Sequence, residues 1–297
     1  MAKIKLPPRL PFKNIGLAGL GLIGGSLAKA LMPFGGLTLY AFDHDPATVE
    51  AARRSRRFEA VTGEADTFLN WPLDLAYLCL PVQRNVEMVE RMGLLKVPYA
   101  VTDAGSTKGS ITRAALAAGL NFCGGHPIAG REVSGYAHAD AGLWRGCLFV
   151  LTPPEAGRRE TRLLTAKLQA LHELLDCRVK IMSAEEHDRL YGLVSHLPYL
   201  AACSLSGSIL DAGGEAALAW AGTGFQDSTR ISAAAPGKWV EIALDNADNL
   251  LENLSAMSAK LDEFIEALES RDAGRLTALL EPIAEFRRKY RNPKKAG

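Results

Sequence analysis

The chain has 297 residues, 48% of them hydrophobic and 23% charged, with a formal net charge of +1. That length suggests about two domains with a substantial apolar core. Near-neutrality argues against a general nucleic-acid or anionic-membrane surface, which needs clustered Lys and Arg to displace counterions. The five cysteines, Cys79, Cys123, Cys147, Cys177 and Cys203, are odd in number, far apart and form no C-x-x-C pair. They argue against a disulfide framework or zinc knuckle and point to a reducing, cytoplasmic setting.

From Met1 to Lys13 the chain is short, basic and proline-bearing, with no signal-peptide core, and reads as a flexible lead-in. The apolar stretch 15–28 is too short and too glycine-rich to span a bilayer, so no membrane partner is expected. From Ile15 to about Met182, short apolar runs alternate with amphipathic segments. Strands are predicted at 15–18, 37–42, 73–80, 99–103, 122–124, 148–152 and 179–182, and helices at 24–32, 47–56, 85–92, 108–118 and 158–175. This alternation predicts an α/β Rossmann-type domain, a doubly wound and mostly parallel sheet with helices on both faces.

After about Ser183 the strand-like runs vanish. Leu250, Leu254, Met257, Leu261, Phe264 and Leu268 recur at alternate spacings of four and three, one apolar stripe on a long helix. Leu276, Leu279, Leu280, Ile283 and Phe286 predict a last helix, and the tail 287–295 is basic and solvated. The predicted organisation is a nucleotide-binding domain over 1–180 and an all-α domain over 181–297. The stripe is most simply intramolecular core; a dimer seam is the sharper reading.

Gly19-Leu20-Gly21-Leu22-Ile23-Gly24 carries G-x-G-x-x-G between the first strand and the first helix, the context in which it marks a dinucleotide site. Gly19 permits the tight turn, Gly21 lets the backbone approach a pyrophosphate, and Gly24 lets helix and strand pack closely. The helix N-terminus offers free N–H groups to the anion. Asp43 ends the second strand, where a carboxylate holds the adenosine ribose and would repel a 2′-phosphate, so the expected cofactor is NAD rather than NADP. Arg53 and Arg54, on the next helix, are expected to face solvent.

Three further segments fall at strand ends near the nicotinamide position: Leu80-Pro81-Val82, the stretch from Thr102 to Gly109, and Gly124-Gly125-His126-Pro127-Ile128-Ala129-Gly130, read as a loop. The patterns G-G-H-P-I-A-G, D-x-G-S-x-K-G, S-H-L-P (Ser195 to Pro198) and G-F-x-D-x-T-R-I (Gly224 to Ile231), in register over nearly the whole chain, resemble the prephenate/arogenate (cyclohexadienyl) dehydrogenase family of tyrosine biosynthesis. That resemblance implies a helical second domain that forms homodimers. It also implies oxidative decarboxylation of a cyclohexadienyl acid with hydride transfer to NAD.

By the same resemblance, His126 accepts the 4-hydroxyl proton, a task that suits a group titrating near neutrality. Ser106 hydrogen-bonds around that hydroxyl. Arg230 grips the substrate's side-chain carboxylate, for which a planar guanidinium is apt. Glu132 lies near the site entrance, and His187 and His196, on the first helix of the second domain, line the substrate pocket. Lys108 is left between two readings, a site residue or the start of a solvated helix. Many members read S-H-L-P-H, whereas this chain has Tyr199 in the last position. Losing a potential cation there should weaken prephenate binding relative to zwitterionic arogenate, unless Arg131 supplies the charge. No metal site is expected, because no H-x-x-x-H or nearby cysteine set completes one. Neither a chorismate-mutase segment before the fingerprint nor an ACT domain after the last helix is expected. The rival readings are a β-hydroxyacid dehydrogenase, an enzyme of an amino-substituted prephenate, and a catalytically silent NAD-binding regulator.

Overall fold

The computed structural model describes residues 10–130, 133–155 and 158–290. The expected Glu132, and Arg131 beside it, lie outside the described residues. In chain order the first elements are β1 (Asn14–Ala18), α1 (Leu22–Leu31), β2 (Thr38–Phe42), α2 (Pro46–Arg54), β3 (Ala60–Thr62), α3 (Ala65–Leu69), β4 (Leu75–Leu78), α4 (Val82–Leu95), β5 (Ala100–Asp103), α5 (Gly109–Ala117), β6 (Phe122–Ile128), β7 (Leu148–Thr152), α6 (Arg159–Leu174) and β8 (Arg178–Ile181). Helices follow: α7 (Ala184–Tyr191), α8 (Leu197–Gly213), α9 (Thr223–Thr229), α10 (Pro236–Asp245), α11 (Ala247–Glu269) and α12 (Ala273–Lys289). A π-helical turn, Gly192–His196, joins α7 to α8 without a break. The chain forms two compact units that meet in sequence between Ala247 and Asp248.

The eight strands form one sheet in the order β3-β2-β1-β4-β5-β6-β7-β8. All neighbours are parallel except β6 and β7. Alternation along the strands assigns the two faces. Ile15, Leu17, Leu75 and Tyr77 pack with Leu27, Leu31 and Leu164 into one cluster, while Ala18, Ala76 and Leu78 pack with Phe68, Met88, Met92 and Ile111 into the other. A central parallel sheet must be covered on both faces, and each fully buried Leu or Phe contributes about 1.5–3 kcal/mol. The chain winds from β1 out to β3 and then crosses back to β4. The order therefore reverses between β1 and β4, where a crevice opens at the carboxyl ends of the strands.

Two differences from the predicted elements matter. The segment holding β3 and α3 is too short to show periodicity in the sequence. The G-G-H-P segment, expected as a loop, is the second half of β6. β6 pairs with β5 only as far as Cys123, and from Gly124 to Ile128 it pairs antiparallel with β7. Its other edge is thereby freed from the parallel ladder, which is where a proline is tolerated in a strand. At Gly125 side chains take over from the ladder: Asp103 Oδ1 accepts the Gly125 N–H at 3.1 Å, and Lys108 Nζ donates to the Gly125 carbonyl at 2.7 Å.

The second unit, taken by itself, is α12 and nearly all of α11. Leu250 is buried, but Leu261, Leu268, Leu280 and Phe286 are exposed, Phe286 by 76%. The apolar stripes read as core from their spacing are only partly covered: Leu254, Met257, Phe264, Leu276 and Leu279 are half-buried, and Ile283 is exposed.

Candidate active site

The glycine turn has the geometry its sequence demands. Gly19 sits at φ +90°, a region that side chains disfavour, and its N–H donates to the Phe42 carbonyl at 2.8 Å. A Cβ on Gly24 would fall 1.9 Å from the Gly19 oxygen, so only glycine lets α1 approach β1 this closely. A Cβ on Gly21 would meet no protein atom within 4 Å. The bare surface at Gly21 is a cradle that no described residue fills. It opens onto the N-terminus of α1, where no side chain caps the backbone N–H groups and no acidic residue sits in the first turn. These features fit a dinucleotide pyrophosphate. Asp43 is buried, with Oδ2 accepting the Leu20 N–H at 2.7 Å and Oδ1 the Asp45 N–H at 2.9 Å. The two bonds fix the carboxylate against the turn and leave lone pairs on both oxygens. Arg53 bonds the Val61 carbonyl and Arg54 pairs with Glu50, so both guanidinium groups have partners on the exposed side of α2. In the Leu80-Pro81 turn, Asn85 Oδ1 accepts the Leu80 N–H at 3.1 Å, while its buried Nδ2 has no partner among the described residues.

Across the crevice, His126 on β6 begins a chain of hydrogen bonds. Its Nδ1 lies 2.8 Å from His187 Nε2, and His187 Nδ1 lies 2.8 Å from Asp188 Oδ1. Asp188 also accepts the backbone N–H groups of Lys108 and Gly109, each at 2.8 Å, and so caps α5 from a neighbouring helix. Burial works to raise the Asp188 pKa, but the His187 bond and these two N–H groups more than offset it, and the group stays ionised. An ionised carboxylate only accepts. His187 therefore carries its proton on Nδ1 and presents a lone pair at Nε2. His126 must then carry its proton on Nδ1, which leaves Nε2 as the basic atom. Burial above all, with the Lys108 charge adding to it, holds the His126 pKa well below 6.5, so it is neutral and ready to accept a proton. Burial likewise lowers His187.

The remaining predicted residues fall in two groups. Ser106 is half-buried in the bend after β5 and does not cap α5, whose N-cap is Lys108. Lys108 is fully buried in an ion pair with Asp103, so it neither begins a solvated helix nor faces substrate. His187 too is fully buried, in contact with protein on both nitrogens. The substrate-lining role expected for it does not match this placement, which puts it behind His126. His196 is buried with Nδ1 3.1 Å from Asn246 Nδ2, and Asn246 also donates to the Asp188 carbonyl at 2.8 Å. Burial pushes the His196 pKa down to about 4. Tyr199 is buried with its ring stacked on Trp239 at 3.9 Å and 3°. Arg230 is exposed at the end of α9. Asp103 stood in the sequence only as a letter within D-x-G-S-x-K-G and Asp188 only as the neighbour of His187, and Lys238 and Trp239 carried no signal at all.

This arrangement can be set beside known proteins. A model of the prephenate dehydrogenase nucleotide-binding domain matches residues 27–180, and one of the prephenate dehydrogenase dimerization domain matches 183–282. The chain belongs to the prephenate dehydrogenase family. Among family members, prephenate dehydrogenase of Bacillus subtilis is 30% identical over 91% of this chain and 74% of that protein. Cyclohexadienyl dehydrogenase of Zymomonas mobilis is 30% identical over 88% of this chain and 90% of that protein. The structure of Aquifex aeolicus prephenate dehydrogenase in complex with hydroxyphenyl propionate and NAD+ superposes with a TM-score of 0.85 at 27% identity, covering 93% of this chain and 98% of that one. The nucleotide-domain match begins at residue 27, just after the glycine fingerprint, so the fit of Gly19 to Gly24 stands as a separate observation. A 3-hydroxyisobutyrate dehydrogenase from Salmonella typhimurium, of the β-hydroxyacid type weighed above, has a TM-score of 0.53 at 16% identity and shares the fold alone.

Proposed function

We propose that the protein oxidatively decarboxylates prephenate to 4-hydroxyphenylpyruvate, arogenate to tyrosine, or both. The observation that carries this reading is the His126–His187–Asp188 chain, which leaves a neutral imidazole nitrogen free on an open strand edge beside the dinucleotide crevice. NAD, when bound, takes up the hydride. The turn from Gly19 to Gly24 holds its pyrophosphate, Asp43 its ribose, and the Leu80-Pro81 turn lies at the nicotinamide end. His126 Nε2 accepts the 4-hydroxyl proton as the C4–H electron pair leaves. The imidazolium that forms is stabilised through His187 by the Asp188 carboxylate. The C1–carboxylate bond then breaks, its electrons complete the aromatic ring, carbon dioxide departs, and a proton returns to the phenolic oxygen. Ser106, whose hydroxyl is not spent on a helix cap, hydrogen-bonds the reacting oxygen, and Arg230, at the end of α9, binds the side-chain carboxylate of the substrate.

The test is absorbance in the NADH band with prephenate and arogenate offered separately. The wild type should turn over at least one acid, and His126→Asn should lose about a hundredfold or more in kcat/KM, as expected for removal of a general base. Binding of NAD without turnover of either acid would leave the silent-regulator reading standing.

The same reading includes a homodimer in the cytoplasm. It is supported by the exposed apolar residues of α11 and α12, among them Leu261, Leu268, Leu280 and Phe286, and by the dimerization-domain match. Sedimentation should give twice the chain mass at micromolar concentration; a monomer would refute it. The continuous helix Ala184–Gly213 is long and apolar enough to cross a membrane, but His187, Asp188 and His196 lie on it and are bonded to α5, β6 and Asn246. That placement favours a helix of the active site.

A further inference from the structure

The first turn of α10 places a cation that the motifs do not contain. Lys238, Ile242 and Asp245 lie four and seven residues apart and so share one face of the helix. That face is turned toward the nucleotide-binding sheet, because Ile242 is 2% exposed and Asp245 Oδ2 accepts the Ser110 hydroxyl of α5 at 2.9 Å. Lys238 occupies its N-terminal end. Its neighbour Trp239 stacks on Tyr199 and meets His196 edge-on at 6.3 Å. Lys238 is open to solvent, yet protein crowds it enough to lower its pKa, and its charge lowers that of His126 in turn. Among the described residues no carboxylate or carbonyl bonds its ammonium. An exposed ammonium with no partner among the described residues, next in sequence to the Trp239 that packs on Tyr199 and His196, is open to an anion.

We propose that Lys238 is a second cation, beside Arg230, for the side-chain carboxylate of the substrate and makes the protein prefer prephenate to arogenate. The proposal rests on the function proposed above. Of the two carboxylates on these acids, the one on the ring loses its charge as carbon dioxide forms. A cation there would hold the ground state more tightly than the transition state and slow the reaction. The side-chain carboxylate keeps its charge throughout, so a cation there improves binding without touching the chemistry. The prephenate side chain carries a net negative charge, whereas the arogenate side chain pairs its carboxylate with an ammonium that Lys238 repels. Lys238 thus supplies the charge that Tyr199 lacks, and it reverses the arogenate leaning expected from Tyr199 alone.

The experiment compares wild type, Lys238→Met and Lys238→Arg with both acids and NAD. In Lys238→Met the KM for prephenate should rise about tenfold or more with kcat within about twofold, the pattern of lost uniform binding. The KM for arogenate should hold or fall, and Lys238→Arg should stay within about threefold of wild type. A parallel rise in KM for both acids, or a fall in kcat at unchanged KM, would overturn the proposal. If the wild type turns over neither acid, the activity reading fails, and binding then decides on Lys238. With NAD present, quenching of tryptophan fluorescence by 3-(4-hydroxyphenyl)propionate should require about tenfold more ligand in Lys238→Met, while the uncharged probe 4-ethylphenol should bind both proteins alike. Equal affinity of the two proteins for the propionate, or none in either, would reject the assignment.

Discussion

Two parts of the molecule hold buried histidines, and they differ in what lies at the end of the hydrogen bonds. His172, on α6 beneath the sheet, is fully buried. Its Nε2 lies 3.0 Å from the Tyr77 hydroxyl, its Nδ1 2.6 Å from the Leu168 carbonyl, and its ring stacks on Phe149 at 3.6 Å. Both nitrogens are used and no charge is near, so the ring is a polar plug in an apolar layer. His126 uses one nitrogen. The other has no partner among the described residues, and the chain behind it ends on an ionised carboxylate instead of a neutral oxygen. Burial depresses both pKa values, but only at His126 does a basic atom remain for chemistry.

The sharpest way to break this contrast is to remove the carboxylate and keep its shape. Asp188→Asn should lower kcat/KM by about ten- to a hundredfold, since an amide neither enforces the tautomer nor stabilises the imidazolium. The pH profile separates that role from mere support. His126 works as the neutral base, so activity is lost as pH falls through its pKa, and the acid limb of kcat/KM should lie below 6.5 in the wild type. In Asp188→Asn the limb should move further toward acid, because the neighbouring negative charge is gone. A loss of melting temperature with kcat and the limb unchanged would make Asp188 structural only.

The converse substitution belongs at the other region. His172→Leu should leave kcat and KM alone and cost about 1–3 kcal/mol in a denaturant titration, because the Tyr77 hydroxyl loses a buried partner. The smallest effect is in the pH dependence of stability. His172 titrates at about 4 in the folded chain, against about 6.5 when unfolded. Below 6.5 the unfolded state binds the proton first, so stability present at neutral pH is lost as pH falls from about 6.5 toward 4. His172→Leu should flatten that slope in part. An unchanged slope would assign it to His126, His187 and His196, whose pKa values are lowered in the same direction.

Much of this protein follows from short-range chemistry written along the chain. Gly19 and Gly24 stand where a Cβ is disfavoured by φ or excluded by a neighbouring backbone oxygen, and such demands are legible because they act within a few residues. The strand–helix alternation and the fingerprint set the crevice, and the G-G-H-P segment set His126. The tertiary structure decided what those residues face. Only the end of the β5–β6 ladder at Cys123 turns the expected loop into a strand edge and gives Asp103 and Lys108 their task. Only the packing of α7 against α5 turns His187 from a pocket residue into a support for His126. Only the packing of α10 on α5 brings Asp245 to the Ser110 hydroxyl. Those contacts join residues about 20 to over 100 positions apart, and a carboxylate or lysine carries no mark in the sequence of the partner that folding will bring to it.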